Sequence, residues 1–364
     1  MANFSLNQAS EKEVWSTKYL KEYVRESGLA PFMGTSERSL IRIKNDLLNR
    51  AGAIVHFPLI GSLTGSGVRG SATLKGNEEA LPNYSAKVTT TFVRNAVNVQ
   101  RSEQHKTEIN IADAGRENLK DWSAETLRDD LLSEMVAIVL KGANNANGSA
   151  GEDSTISYAD ATATQRNSYI TLNADRVMIG VDAANNTGTM ATSLANVDAT
   201  NDKMTAAFVS AARAKARKAT GTKITPYKTE DGREYYVLFV DSDGFSDLAL
   251  DADIKEANLH ARPRGLDNPL FRDGTLWYRG VMIVEIPELS AFTIAGAGAS
   301  GVDVHVAALC GANAVSVAYS QKPVFRIEDE DYGFEHGVAI EECRGQIKTT
   351  FNGKNYGIVN IYHA

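Results

Sequence analysis

DAGRENLKDWSAETLRDDLLSEMVAIVLKGAN, from Asp113 to Asn144, decides how the rest of the chain is read. Leu119, Trp122, Thr126, Leu127, Leu131, Met135, Ile138 and Val139 recur at steps of three and four, which is one face of a long helix. Glu117, Lys120, Asp121, Glu125, Arg128, Asp129 and Glu134 fill most of the other side. No proline interrupts the run, and Gly142 followed by Asn144 and Asn145 is a stop signal. From Leu119 to Lys141 such a helix measures about 35 Å at 1.5 Å per residue, the width of a small domain. It can serve as a spine on which sheets are laid.

Working outward towards the N-terminus, Ala86 to Gln100 (AKVTTTFVRNAVNVQ) reads as one long strand, with Val88, Thr90 and Phe92 alternating with polar positions. Residues 53–60 (AIVHFPLI) read as its partner. Between them lie Gly61, Gly65, Gly67, Gly70 and Gly76, so the pair is a ribbon with a flexible tip. It holds too few large apolar residues to bury itself, and an isolated two-stranded ribbon is marginal in water. It is expected to rest on another chain or domain. Val14, Trp15, Tyr19, Leu20, Tyr23 and Val24 suit a short amphipathic helix, and Ser36 to Asn49 suits another. Residues 1–50 therefore look like an arm that needs something to lie on.

Working outward towards the C-terminus, residues 144–167 and 182–201 are small and polar and read as loops or insertions. Ser168 to Gly180 is strand-like. Lys203 to Ala219 is an alanine-rich helix with Met204, Phe208 and Ala212 on one face. Glu234 to Asp241 (EYYVLFVD) is a buried strand, and Phe245 to His260 a helix. Asn268 to Phe271 is a turn, and Leu276–Tyr278 with Val281–Ile286 make a hairpin about Arg279-Gly280. Val302 to Leu309 and Ala314 to Tyr319 continue as short strands. Phe334 to Tyr362 holds more strands, with polar turns at Cys343–Gly345 and Asn352–Lys354. The pattern is α+β.

The chain has 364 residues, 43% of them apolar, and a formal charge of −7, which argues against a free-standing nucleic-acid binder. Two cysteines, Cys310 and Cys343, make neither a disulfide framework nor a metal pattern and read as buried thiols. No signal core and no membrane-length apolar run is present, so no membrane partner is expected.

Gly65-Ser-Gly67-Val-Arg-Gly70 matches GxGxxG. A dinucleotide site needs that turn between a buried strand and a helix, with an acidic ribose ligand about 20 residues on. Here SATLKGNEEALP follows, a poor helix, and the mobile-tip reading wins. Asp241-Ser-Asp243-Gly244 has the start of a calcium loop but lacks its remaining ligands. It reads as a strand-to-helix turn with Asp243 or Ser246 as the cap. His56, His105, His260, His305, His336 and His363 form no HxxxH pair or ligand cluster and read as structural or solvated. The basic group Arg213, Lys215, Arg217, Lys218 and Lys223 reads as a solvated helix face, and Asp329-Glu330-Asp331 as surface. No catalytic, cofactor or metal constellation emerges.

The order arm, glycine-tipped ribbon, spine helix and later α/β region resembles the major capsid proteins of tailed bacteriophages, with the HK97 fold. The family typified by phage N4 is the closer likeness. Leu74-Lys-Gly-Asn-Glu-Glu-Ala-Leu81, Gln104 to Trp122, Glu234–Asp241 followed by Ala257 to Phe271, Tyr332-Gly-Phe-Glu-His-Gly337 through Phe351, and Tyr356-Gly357 carry the likeness. It implies an N-arm at 1–52 and an extended loop (E-loop) at 53–100. It further implies a peripheral domain with spine and insertions at 101–219, an axial domain at 220–330, and C-terminal strands at 331–364 returning to the peripheral domain. Gly65, Gly67, Arg69, Gly70, Lys75, Glu78 and Glu79 of the E-loop would meet a neighbouring subunit. Trp122, Leu127, Leu131 and Met135 would seat the spine.

The resemblance implies self-assembly into hexamers and pentamers of an icosahedral head around double-stranded DNA, built in the host bacterial cytoplasm. Implied partners are a separate scaffolding protein, a portal and a decoration protein. Lys75 and Asn352 lie where some members of the fold form a cross-link, but no glutamate that would catalyse one is identified. An encapsulin-like compartment shell, a minor virion protein, and a nucleotide-binding oxidoreductase using the GxGxxG loop are the alternatives.

Overall fold

A computed structural model of the chain describes residues 29–45, 54–60, 63, 65–71, 73–79, 83–106, 110–143, 151–220, 222–228, 232–259 and 275–364. The expected helix at 14–24, the turn at Asn268–Phe271 and His260 lie outside these residues. The chain divides into two compact units. One comprises Met1–Ser27, Phe92–Thr126 and Gln321–Cys343; the other comprises Gly28–Thr91, Leu127–Ser320 and Arg344–Ala364.

The larger unit is built on a seven-stranded mixed sheet. Its order is Thr275–Tyr278, Val281–Glu285, Glu234–Val240, His305–Cys310, Ile358–His363 and Val177–Ile179, and Tyr227–Lys228 pairs beside Glu234–Val240. The run EYYVLFV is apolar at nearly every position because both sheet faces are covered. Val237 and Phe239 enter one core with Leu131, Met135, Tyr169 and Val315. Tyr236, Leu238 and Val240 enter the other with Phe208, Ala212, Leu248 and Ile254. The helix Ala206–Lys218 covers this second face, with Thr205 capping the Phe208 N–H. Arg279 (φ 46°) and Gly280 (φ 75°) form the tight turn of the expected hairpin.

The long helix runs Ile111–Val136, so the expectation that it reaches Lys141 is corrected. Ile138–Leu140 leaves as a strand antiparallel to Ser154–Ile156. The reason is a buried polar hub. The last carbonyls of a helix need donors from outside it. Here Asn360 Nδ2 donates to Met135 O (3.0 Å) and Lys348 Nζ to Ala137 O (2.9 Å). Asn360 Oδ1 in turn accepts from Lys348 Nζ (2.7 Å), Tyr169 O–H (3.0 Å) and Asn355 Nδ2 (3.1 Å). Tyr169, Asn173, Lys348, Asn355 and Asn360 are all fully buried. Burial pushes the Lys348 ammonium down to about 7 and the Cys310 thiol up to about 12. Both cysteines are free and buried.

Several other local expectations are overturned by tertiary context. Ser36–Asn49 holds no helix over its described part. Ile41–Lys44 is a strand parallel to Val315–Ala318, because Leu40 and Ile41 are drawn wholly into the core. Ser168–Gly180 is the end of the helix Ala163–Leu172 followed by the short strand Val177–Ile179. Thr162 and Gln165 close a capping box at that helix's start, so 144–167 is only partly loop. Residues 182–201 contain the helix Met190–Leu194, whose Met190 and Leu194 are buried together with Val197, the i, i+4, i+7 set of one face. The helix expected over Phe245–His260 starts at Ser242, capped by Asp241 rather than by Asp243 or Ser246, and breaks at Asp251. Asp251 Oδ1 takes the N–H groups of Asp253 and Ile254, starting a second helix at Ala252. Glu335–Lys348 runs as one strand straight through the turn expected at Cys343–Gly345; the turn at Asn352–Gly353 is present.

The ribbon is Ile54–Ile60 paired antiparallel with Asn83–Thr89, and a new strand begins at Thr91 rather than one strand running from 86 to 100. Its base does not bury itself alone but rests on other strands of the same chain. Val55, Phe57, Ala86 and Val88 pack on Ala318 and Ile347. Lys87 Nζ meets Glu152 at 3.2 Å, and Lys44 Nζ lies 4.6 Å from the centre of the Phe57 ring. Gly345 lets the ribbon lie this close, because a Cβ there would stand 2.1 Å from the Thr89 carbonyl oxygen. Gly345→Ala is therefore expected to destabilise the subunit by about 2 kcal/mol, since backbone must move. Urea unfolding of unassembled protein measures it, and an unchanged midpoint would refute it.

The smaller unit holds the first part of the long helix, the strand Thr91–Gln100 from Phe92 on, and the outer parts of Val315–Glu330 and Glu335–Lys348. Its sheet order is Val315–Glu330, Glu335–Lys348, Thr91–Gln100. Leu119 packs on Val338 and Ile340, with Val97 and Trp122 alongside. Glu335 accepts from Asn98 Nδ2 (2.8 Å) and Gln100 Nε2 (3.0 Å).

Candidate assembly surface

Beyond its braced base the ribbon carries a tip whose described residues, 63, 65–71 and 73–79, are almost all exposed. Glu79 Oε2 accepts the Gly65 N–H and Glu78 Oε2 the Gly76 N–H, both at 2.7 Å, so the two glutamates fasten the loop to itself. Gly67 (φ 65°) and Gly70 (φ 69°) take left-handed backbone that other residues rarely adopt. Among the described residues no helix follows them, as the dinucleotide geometry would require. Arg69 and Lys75 are exposed on the same loop. Thus Gly65, Gly67, Arg69, Gly70, Lys75, Glu78 and Glu79 share one projecting tip. Sequence reasoning passed over its apolar component: Ile60, Leu63 and Leu74 are 65%, 59% and 62% exposed. Three large aliphatic side chains on one loop, among charges, are what a covered surface needs.

The smaller unit presents a second such surface. In the hairpin from Gln321 to Cys343, Val324, Phe325, Ile327, Tyr332 and Phe334 are exposed, Tyr332 completely. The turn residues Asp331 (φ 48°) and Tyr332 (φ 53°) hold left-handed backbone before Gly333 (φ 81°). Such conformations in non-glycine residues cost on the order of 1 kcal/mol each and concentrate where function holds them. The signal was legible as VFRIEDEDYGF, where aromatic and aliphatic residues alternate with charges. Asp329, Glu330 and Asp331 are exposed, as expected.

Of the spine residues, Leu131 and Met135 are fully buried and Leu127 half-buried in the larger unit's core; Trp122 belongs to the smaller unit. Arg128 holds Glu288 at 3.0 Å, and buried Arg344 holds Asp130 at 2.7 Å. These residues are scaffold, and the exposed surfaces lie elsewhere.

Two of the histidines, expected to lie in no ligand cluster, come together with a carboxylate. His305 and His363 face each other across paired strands, their rings stacked at 5.6 Å. Asp241, at the end of the neighbouring strand, stands 2.5 Å from His305 Nδ1 and 3.8 Å from His363 Nε2. Asp241's approach holds His305 above the usual histidine range, whereas burial pushes His363 below it. Thr293 Oγ1 lies 3.4 Å from His305 Nδ1, the same nitrogen that Asp241 approaches, so hydroxyl and carboxylate do not flank the ring on opposite sides as a catalytic triad needs. Asp241, His305 and His363 lie 64 and 58 positions apart along the chain, which gave the sequence no spacing to read.

The whole-chain comparisons follow the same order of elements. The sequence matches the family described as phage capsid protein over residues 3–364. The chain belongs to that family. It is 27% identical to the major capsid protein of Pseudomonas phage KPP25, over all of this chain and 97% of that one. Among solved structures it resembles a chain of the cyanophage Pam1 capsid asymmetric unit, with TM-score 0.90 and 34% identity over 100% of this chain and 99% of that one. It also resembles the capsid of Ralstonia phage GP4, with TM-score 0.74 and 23% identity over 100% and 98%. The fold is the α+β HK97-like capsid fold.

Proposed function

We propose that this chain is the major capsid protein of a tailed phage and assembles with copies of itself into the hexamers and pentamers of an icosahedral head. The observation that carries the reading is the ribbon tip, with Ile60, Leu63 and Leu74 held out in water on a base that is itself firmly packed. Burying one such aliphatic side chain contributes about 1.5–3 kcal/mol, so three per subunit give a contact that is modest singly and large when repeated over a shell. The family match and the solved capsid relatives support it.

On this reading residues 1–52 are the N-arm and 53–100 the E-loop lying over a neighbour. Residues 101–219 form the peripheral domain and 220–330 the axial domain, with 331–364 returning to the peripheral one. Double-stranded DNA fills the head as non-specific content, consistent with the charge of −7. Assembly takes place in the bacterial cytoplasm with a separate scaffolding protein and a portal, and a decoration protein can follow.

The test is electron microscopy of the protein co-expressed with its phage's scaffolding protein. Closed shells are expected from the wild type. Changing Ile60, Leu63 and Leu74 together to lysine is expected to leave thermal unfolding of the subunit unchanged and to abolish shells. Wild-type protein that makes no shells would overturn the reading; shells from the triple variant would move the carrying contact elsewhere.

A further inference from the structure

We infer that Asp241, Asp243, His305 and His363 form a binding site for a divalent transition-metal ion, zinc foremost, which clasps three chain segments of the larger unit. Donor atoms of Asp241, Asp243 and His305 all lie within 4.8 Å of one another. His363, fully buried, adds a fourth from the side, with Nε2 3.8 Å from Asp241 Oδ1.

The state of His363 points to a cation. Its Nδ1 lies 3.2 Å from a main-chain oxygen of Ala364, and since that oxygen only accepts, Nδ1 carries the hydrogen. In the neutral ring Nε2 is then a bare lone pair. It makes no hydrogen bond. Asp241 Oδ2 is already engaged with His305 Nδ1 at 2.5 Å, so the unpartnered atom of the cluster is His363 Nε2. A lone pair facing a carboxylate away from water is unfavourable unless something positive stands between them. An imidazole whose far nitrogen donates to a carbonyl is also the usual arrangement of a metal-bound histidine, because that bond fixes the tautomer and aims the ring.

The surroundings are shaped for this set. Gly244 sits where a Cβ would come 2.7 Å from His363 Cε1, so a side chain there would push the ring away. Asp241 Oδ1 is steadied by the Gly244 N–H at 3.1 Å. Asp243 is exposed at the rim, which gives an ion a way in. Donors around a tetrahedral zinc stand about 3.3 Å apart, given bonds of about 2.0–2.2 Å. Asp241, Asp243 and His305 already stand within 4.8 Å of one another, and the His363 ring, 3.8 Å from Asp241 Oδ1, would move inward to complete the set. Two imidazole nitrogens with two carboxylates favour zinc and its first-row neighbours over calcium or magnesium, which take oxygen. Bound there, the ion would pin His363 to the Asp241–Asp243 turn and to His305, tying together the ends of three adjacent interior strands of the seven-stranded sheet.

The test uses the full-length protein, equilibrated with Zn2+, desalted, and assayed for metal by mass spectrometry. About one zinc per chain is expected in the wild type, with loss in His363→Ala and His305→Ala. Asp243→Ala changes only an exposed side chain, so it keeps the fold, and it is expected to weaken zinc at least about tenfold. Co2+ loading of the wild type gives a readout independent of any variant: intense visible absorption from a four-coordinate site is expected. Wild type that retains no zinc, zinc content identical in all three variants, or a cobalt spectrum matching the aqueous ion would each overturn the inference.

Discussion

Replacing Asn360 with alanine is expected to cost the unassembled subunit about 4 kcal/mol, a large fraction of a typical domain's stability. The magnitude follows from what the side chain leaves behind. Met135 O loses its donor at the end of the long helix, Tyr169 O–H loses its acceptor, and Lys348 Nζ and Asn355 Nδ2 each lose one partner. All are buried, so water cannot stand in without opening the core, and each orphaned group costs about 1–3 kcal/mol. Asn360→Asp is the control. It retains the three accepted bonds and sets a second acceptor against Met135 O, so a loss about half as large is expected. Denaturant unfolding below the assembly concentration reads both. An alanine variant within 1 kcal/mol of wild type would show that the hub is not a point of stability.

This hub also marks where sequence pattern stopped predicting structure. The 3.6-residue period ran on through Ile138 and Val139, and nothing local required a stop at Val136. The stop comes from Lys348 and Asn360, more than 200 residues away, which satisfy Met135 and Ala137 and free the next residues to pair as a strand. Ile41–Lys44 failed for the same kind of reason: a parallel partner at Val315–Ala318 outweighs a weak helical period. Elements settled by their own residues were legible. EYYVLFV is a strand between two cores, Ala206–Lys218 is a helix with Phe208 and Ala212 inward, and Arg279-Gly280 turns the hairpin. Thr162 and Gln165 were a readable start signal that was missed. Of the candidate surface, the glycines and charges of the tip were visible as a loop. The exposure of Leu63 and Leu74 was not, because an apolar residue carries no mark in sequence that says whether it is covered.

Between about pH 7 and pH 9 a subunit carrying Lys348 is expected to gain about 2 kcal/mol of stability relative to Lys348→Met. Lys348 titrates at about 7 in the folded chain against 10.5 for an unhindered lysine, because burial disfavours its charge more than Glu134 and Cys310 restore it. Between those values the unfolded chain holds a proton that the native chain does not. Stability therefore rises with pH across the window, by at most about 1.4 kcal/mol per pH unit, and the full penalty is present below pH 7. Methionine fills similar space and never titrates, so its stability carries no such slope. Glu134 is raised by burial, bonded to Thr155 Oγ1 and the main-chain N–H of residue 348, and lowered in turn by the Lys348 charge, so the comparison is made in a Glu134→Gln background, which keeps its titration out of the difference. Paired urea titrations at several pH values provide the measurement. A difference that stays flat would mean that Lys348 is charged throughout, held by Ala137 O, Asn360 Oδ1 and the Tyr169 ring 5.7 Å away. A rising difference would mean that the end of the spine helix is held by a neutral amine, and that acid loosens the subunit at that joint.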